Sequence, residues 1–121
     1  MSKNYLLRQT PQFEEDFKKA LWHIAVSLIN PIAADALTNE FERVSELVRA
    51  FPLSVQPYPT KPARPEVYRA VGVKRYLAFY VVLDGVVEFR RFLYAGTDIP
   101  SRLRPRYISP AYMSSYSSPG V

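Results

Sequence analysis

The first half of the chain carries apolar residues at helical spacing in two successive stretches. The first stripe consists of Phe13, Phe17, Leu21, Ile24 and Leu28. The second stripe consists of Leu37, Phe41, Val44, Val48 and Phe51. Steps of three and four place side chains on one face of an α-helix. We therefore predict two amphipathic helices, the first ending near residue 29 and the second ending before Pro52.

Each predicted helix begins with a polar residue followed by proline. Thr10 precedes Pro11, and Asn30 precedes Pro31. A Thr or Asn side chain caps the free N–H groups of a helix start, and proline fits the first helical position. Because Asn30 also ends the first helix, the joint is very short, and we expect the two helices to pack antiparallel.

The second half of the chain is patterned as strands. Residues 53–65 contain four prolines, which predicts an extended loop. We predict strands at residues 67–71, 76–83 and 86–94, in addition to a short strand at residues 5–7. Asp84-Gly85 predicts a two-residue hairpin turn of type I′, with positive φ at both positions. An N-terminal strand, a helical hairpin and a three-stranded antiparallel meander together predict an α+β fold.

The last predicted strand holds Arg90-Arg91 among apolar residues. Strand side chains alternate between faces, and here neither parity is purely apolar. A one-residue bulge at the arginine pair would return three apolar residues to the core face, namely Val87, Phe89 and Phe92. One interpretation is that the sheet face without helices is open and presents basic and aromatic side chains for binding. The alternative is that Arg90 pairs with Glu88 or another acid and lies flat on a solvated sheet.

The length of 121 residues fits one domain, which we place at residues 1–106, followed by a Ser-, Tyr- and Pro-rich tail at residues 107–121. The absence of cysteine excludes disulfides and thiolate metal sites. The first residues lack the apolar core of a signal peptide, and residues 21–34, an uncharged and largely apolar run, are too short to span a bilayer. We therefore expect a soluble cytoplasmic protein without membrane contact.

The net charge of +5 is unevenly distributed. Residues 1–60 hold six Lys/Arg and seven Asp/Glu, whereas residues 61–121 hold ten Lys/Arg and four Asp/Glu. An asymmetry of this kind predicts a polyanionic partner on one side of the fold. Nucleic acid and an acidic protein segment satisfy it equally well.

Three consecutive segments, TPQFEEDFKKALWHI, NPIAADALTNEFERVSELVRAFP and VYRAVGVKRYLAFYVVLDGVVEFRRFLYAGTD, occur in an order that is typical of one family. The chain resembles the RelE/ParE superfamily of bacterial toxins, which belong to type II toxin–antitoxin and plasmid-stabilisation modules. In this chain and in the superfamily, an aromatic-rich strand is followed by an Asp-Gly turn and a return strand. The return strand ends in a short segment, here YAGTD. The resemblance covers about residues 5–98.

The resemblance implies a growth-inhibiting toxin that an antitoxin holds inactive. RelE-like members cut mRNA on the ribosome, and ParE-like members poison DNA gyrase. We predict ribosome-dependent mRNA cleavage by a metal-free endoribonuclease without cofactors. Its active site would be degenerate, because Val71 and Leu77 stand where the family has basic residues. A gyrase-binding toxin and a non-toxic RNA- or protein-binding domain of the same fold are the alternatives.

The expected partners follow from the same resemblance. They are a cognate antitoxin and either mRNA on the ribosome or DNA gyrase, with the toxin assembled as a homodimer or as a toxin–antitoxin hetero-oligomer.

For RNA cleavage, the resemblance implies cations that stabilise the phosphate and a group that transfers a proton. The predicted catalytic residues are Arg69, Arg75, Arg91 and Tyr94. The predicted nucleic-acid contacts are Lys61, Arg64, Lys74 and Arg90. A structural role is the alternative for Arg91, and also for Tyr94 if its ring packs at the end of a strand. His23 is the only histidine, so we predict no metal site and a structural or surface position for its side chain.

Overall fold

Two helices and a four-stranded sheet make up the computed structural model, which describes residues 5–59 and 66–96. In chain order the elements are β1 (Leu6–Gln9), α1 (Pro11–Trp22), a π-helical stretch (His23–Ser27), α2 (Pro31–Ala50), β2 (Arg69–Val73), β3 (Tyr76–Leu83) and β4 (Val86–Tyr94). The predicted α+β class and the order of its elements are confirmed. The predicted tail, residues 107–121, lies outside the described residues.

The helix starts are those that the sequence predicts. The Thr10 hydroxyl accepts a hydrogen bond from the Phe13 N–H at 3.1 Å, and Pro11 is the first helical residue. The Asn30 side chain accepts from the Ala33 N–H at 3.0 Å, directly before α2. The end of the first helix differs from the prediction, because its last turn is π-helical rather than α-helical.

The sheet has the strand order β1-β4-β3-β2. The last three strands form the predicted antiparallel meander, and β1 joins its β4 edge in parallel orientation. Asp84-Gly85 forms the predicted two-residue hairpin connection. The expected type I′ turn is wrong, however, because only Gly85 has a positive φ, at 71°.

A β-bulge resolves the position of the two arginines in β4. Phe79 lies opposite Arg91, and Tyr80 lies opposite Phe89, so Arg90 is the extra residue. The predicted bulge is therefore confirmed. It restores the alternation, so that Val87, Phe89 and Phe92 are all buried in the core cluster that the helices cover.

Five phenylalanine rings join the helix layer to β4. Phe13 is fully buried, and its ring centroid lies 5.4 Å from those of Phe41 and Phe89. Phe17 meets Phe92 edge-on at 4.9 Å. Tilted and edge-to-face pairs at these distances add to the energy of simple burial. The aromatic cluster therefore fixes α1 and α2 on the sheet.

The opposite sheet face is not the open basic surface that we considered from the sequence. Phe79, Val81 and Leu93 are buried there, and Tyr58 packs edge-on against Phe79 at 5.1 Å. Arg90 lies on this face and forms ion pairs with Glu88 at 2.8 Å and Glu66 at 2.9 Å. The pairing of Arg90 with Glu88 is confirmed, but the solvated sheet of that alternative is wrong, because Phe79, Val81 and Leu93 are buried.

Tyr80 gives the fold a measurable response to alkaline pH. Its buried hydroxyl donates to the Pro52 carbonyl at 2.8 Å, and burial raises its pKa to about 12 against the opposing effect of the Arg69 charge. The unfolded state therefore releases this proton near pH 10, while the folded state keeps it until about pH 12. Stability from Tyr80 is fully present below pH 10 and falls above it, by at most about 1.4 kcal/mol per pH unit.

We expect urea unfolding curves between pH 9 and pH 12 to show this decline in the wild type. Tyr80→Phe should be less stable by about 1 kcal/mol at pH 8, because the Pro52 carbonyl loses its partner. The free energy of unfolding of the variant should also decline less steeply above pH 10. The variant lacks the Tyr80 hydroxyl, and its other titrating groups are unchanged. Parallel curves for the two proteins would contradict the prediction.

Candidate functional site

A groove lies between the tip of the helical hairpin and the beginning of β3. It consists of two adjoining cavities of about 460 Å³ and 370 Å³, which share Ile24, Leu28, Arg75 and Tyr76. The larger cavity adds His23 and Tyr94, and the smaller one adds side chains that include Leu37 and Lys74. We call this surface the tip groove. Its lining is mainly apolar and includes two cations and two phenols.

Two of the predicted catalytic residues meet in the tip groove. Arg75 directly precedes β3, and Tyr94 is the last residue of β4. Both line the same cavity. The Ala95 N–H donates to the Arg75 carbonyl at 2.9 Å, which joins the start of β3 to the end of β4. Tyr94 also meets the Tyr76 ring edge-on at 5.6 Å. Burial, and then the neighbouring Tyr94, raise the pKa of Tyr76, so this phenol stays protonated at neutral pH.

His23 belongs to the same cavity, and sequence reasoning did not include it in the site. It is the first residue of the π-helical stretch and lines the cavity with Arg75 and Tyr94. No local pattern indicates this, because the hairpin tip and the end of β4 are about seventy residues apart. An imidazole, a guanidinium and a phenol around one cavity can bind an anion and exchange protons.

Arg91 lies apart from this groove, in a buried ion pair. Its Nε donates to Asp16 Oδ2 at 2.7 Å, and its Nη2 donates to Oδ1 at 3.1 Å. Asp16 also accepts from the Phe92 N–H at 3.0 Å and from Gln12 at 3.1 Å. The arrangement fastens α1 to β4 at the bulge. This geometry favours the structural alternative for Arg91.

Arg69, the remaining predicted catalytic residue, faces the segment after α2. One of its guanidinium nitrogens donates to the Val55 carbonyl, and its backbone forms an antiparallel bridge with Pro57. It pairs with Tyr80 across the strands and lines neither cavity of the tip groove. Its described contacts therefore brace the loop that follows α2.

The four predicted nucleic-acid contacts are also dispersed. Lys74 lines the smaller cavity of the tip groove. Arg90 lies on the opposite sheet face, where hydrogen bonds to Glu66, Glu88 and Tyr68 raise its pKa, although burial alone would lower it. Lys61 and Arg64 lie outside the described residues. Within residues 5–59 and 66–96, no three His, Asp or Glu side chains cluster as metal ligands, and no helix has the length and hydropathy to cross a bilayer.

The Tyr94 ring lies close to Gly96. A Cβ on Gly96 would lie 2.8 Å from Cε2 of Tyr94, closer than carbon atoms pack. We expect Gly96→Ala to push the ring away from its edge contact with Tyr76 and to weaken the nuclear Overhauser effects between the two rings. Gly72→Ala is the matched control, because no atom lies within 4 Å of its added Cβ. Unchanged ring contacts in Gly96→Ala would contradict this placement.

Comparisons with known proteins agree with the fold. The family model described as the ParE toxin of the type II toxin–antitoxin system parDE matches residues 7–99. A chain of the chromosomal ParDE toxin–antitoxin system from P. aeruginosa has a similar structure, with a TM-score of 0.61 and 16% identity over 75% of this chain and 96% of that chain. None of the curated proteins that were compared by sequence matches this chain.

Two E. coli structures are more distant. The DinJ–YafQ toxin–antitoxin complex has a TM-score of 0.49, with 16% identity over 75% of this chain and 92% of that chain. YafQ from strain BL21(DE3) has a TM-score of 0.47, with 18% identity over 73% of this chain and 90% of that chain. The assignment rests on the family match rather than on these two structures. The predicted RelE/ParE superfamily is confirmed, and the chain belongs to the ParE family of toxins from type II toxin–antitoxin systems.

Proposed function

We propose that this toxin arrests growth by binding DNA gyrase in the cytoplasm rather than by cutting RNA. The observation that carries the proposal is the dispersal of the predicted catalytic set. Arg75 and Tyr94 share the tip groove, whereas Arg91 pairs with Asp16 and Arg69 binds the Val55 carbonyl. Phosphoryl chemistry needs several donors converging on one phosphate. A toxin that acts by binding needs no such set.

The family match supports the same proposal. The chain belongs to the ParE family over residues 7–99, and the resemblance described above implies gyrase as the target of ParE-like members. Membership in a type II toxin–antitoxin family also supports a cognate antitoxin as partner. We propose that co-expression of this antitoxin restores growth.

Induced expression followed by pulse labelling tests the mechanism. If the toxin binds gyrase, DNA synthesis falls first, cells filament with a DNA-damage response, and protein synthesis continues during the first minutes. Purified toxin should also inhibit supercoiling of relaxed plasmid by purified bacterial gyrase. Immediate loss of methionine incorporation, with intact supercoiling activity, would reject gyrase in favour of RNA cleavage.

RNA cleavage remains the second candidate, because His23, Arg75 and Tyr94 surround one cavity. In that mechanism Arg75 would bind the phosphate, and His23 or Tyr94 would transfer protons. The double variant Arg75→Ala/Tyr94→Phe would then abolish mRNA cleavage on ribosomes. His23→Gln tests whether the imidazole takes part, since it removes a proton carrier yet keeps a polar side chain of similar reach. Full toxicity of His23→Gln would argue against a catalytic imidazole.

A further inference from the structure

Backbone strain is concentrated beside the tip groove. Among the described non-glycine residues, only Ile29 and Lys74 have a positive φ, at 51° and 57°. Ile29 follows Leu28 at the hairpin tip, and Lys74 lies in the turn between β2 and β3, across the groove. A β-branched residue rarely adopts this conformation, and such strain is concentrated at functional sites.

The hairpin tip is irregular and apolar as well. The π-helical stretch His23–Ser27 leads into it, and the Leu28 N–H donates to the His23 carbonyl at 2.9 Å. Single π-turns inside helices are frequent at functional sites. Five large apolar side chains around the tip are each more than half exposed: Trp22, Val26, Leu28, Ile29 and Ile32. Exposed apolar patches of this kind mark interaction surfaces.

The charge of the groove is one-sided. Lys74 and Arg75 both line it, and no carboxylate among the described residues lines either cavity. The Lys74 charge acts on Glu40, whose pKa is lowered mainly by its hydrogen bond to Arg43 and least by Lys74. Glu40 therefore has its own partner in Arg43, at 2.8 Å. Within residues 5–59 and 66–96, the two groove cations therefore have no carboxylate beside them in either cavity.

We propose that the tip groove docks an amphipathic, acidic segment of the target protein. Apolar side chains of that segment would lie on the floor of Ile24, Leu28 and Leu37, and its carboxylates would pair with Lys74 and Arg75. A helix laid into a groove by one apolar face is a common form of such recognition. The choice of the target as the source of the segment rests on the proposed function.

A designed peptide tests the groove without any assumption about the target. The probe is a fluorescein-labelled helical peptide of about 18 residues, five turns, with leucines on one face and glutamates beside them. Its matched control replaces every glutamate by lysine. Fluorescence polarisation should show that the acidic peptide binds at least about tenfold more tightly, and that added salt reduces the difference. Equal binding of the two peptides would overturn the proposal.

Two variants with matched controls locate the binding. Leu28→Asp and Arg75→Glu should each lower the affinity for the acidic peptide by about tenfold or more. Leu47→Asp is the control for the first, because Leu47 is 54% exposed and Leu28 is 59% exposed. Lys18→Glu is the control for the second, since both side chains are exposed and the charge change is equal. Circular dichroism verifies folding of all four. Equal losses in the controls would overturn the assignment to this groove.

Gyrase supercoiling then tests the source of the segment. Excess acidic peptide should relieve inhibition by the wild-type toxin, and Leu28→Asp should inhibit at least about tenfold less well than Leu47→Asp. If the peptide binds but inhibition persists, the target does not use the groove, and the inference fails while the proposed function stands. If the wild type leaves gyrase active, the proposed function is wrong, and so is the assignment of the segment to the target. The peptide measurements then still decide whether the groove binds acidic, amphipathic segments.

Discussion

Asp16→Asn should lower the free energy of unfolding by about 3–5 kcal/mol, the cost expected when one partner of a buried ion pair is removed. Asp16 and Arg91 are both buried, and two hydrogen bonds of 2.7 Å and 3.1 Å join them. The amide leaves the Arg91 charge in the interior without its counter-ion. Urea denaturation at pH 7 measures the loss as a lower midpoint with an unchanged slope.

Two further variants show whether the loss comes from the buried pair. Glu15→Gln removes a carboxylate from an exposed position of the same helix, and its effect should stay within about 0.5 kcal/mol. Asp16→Leu/Arg91→Met removes both charges and should be more stable than Asp16→Asn, since apolar pairs often replace buried ion pairs at little cost. A double variant less stable than Asp16→Asn would contradict this account.

The ion pair and the bulge together explain why an Arg-Arg pair stands in a core strand. The extra residue, Arg90, forms ion pairs with Glu66 and Glu88 on one sheet face. Arg91 forms an ion pair with Asp16 of α1. The bulge was predictable, because alternation in β4 fails on both faces without it. The partner of Arg91 was not, because Asp16 precedes it by 75 residues and looks like an ordinary acid near the start of a helix.

The local elements were predictable for a similar reason. Thr10-Pro11, Asn30-Pro31 and Asp84-Gly85 carry their own hydrogen-bonding and φ preferences, so each boundary is encoded within a few residues. The turn type between β3 and β4 was missed because Asp84 keeps a negative φ. The open basic face was wrong because the sequence pattern does not show that Tyr58 packs over Phe79.

The candidate site was predictable only in part. Arg75 and Tyr94 were identified through the family resemblance, and the fold does bring them to one cavity. Residue type alone does not distinguish an exposed arginine from one that donates to a carbonyl or pairs with a carboxylate. Arg69 and Arg91 are of the second kind, whereas His23 reaches the cavity because the fold brings the hairpin tip beside the start of β3.

Phe13→Ala should cost about 3–5 kcal/mol, typical of a large aromatic side chain removed from a core. Phe13 is fully buried, and its ring lies between 5.4 Å and 6.2 Å from four others: Phe17, Phe41, Phe89 and Phe92. These rings come from both helices and from β4, so the surrounding structure cannot collapse into the space without moving a whole element. Thermal unfolding should show a midpoint at least about 12 °C lower.

Phe51→Ala is the matched control, because it removes the same atoms from a side chain that is 59% exposed at the end of α2. Its effect should stay within about 0.5 kcal/mol. Phe13→Leu should fall between the two, since leucine refills part of the cavity. Growth inhibition should weaken with Phe13→Ala and persist with Phe51→Ala, through the amount of folded toxin rather than through the tip groove. Equal destabilisation by Phe13→Ala and Phe51→Ala would show that the helices are held to the sheet by contacts other than the aromatic cluster.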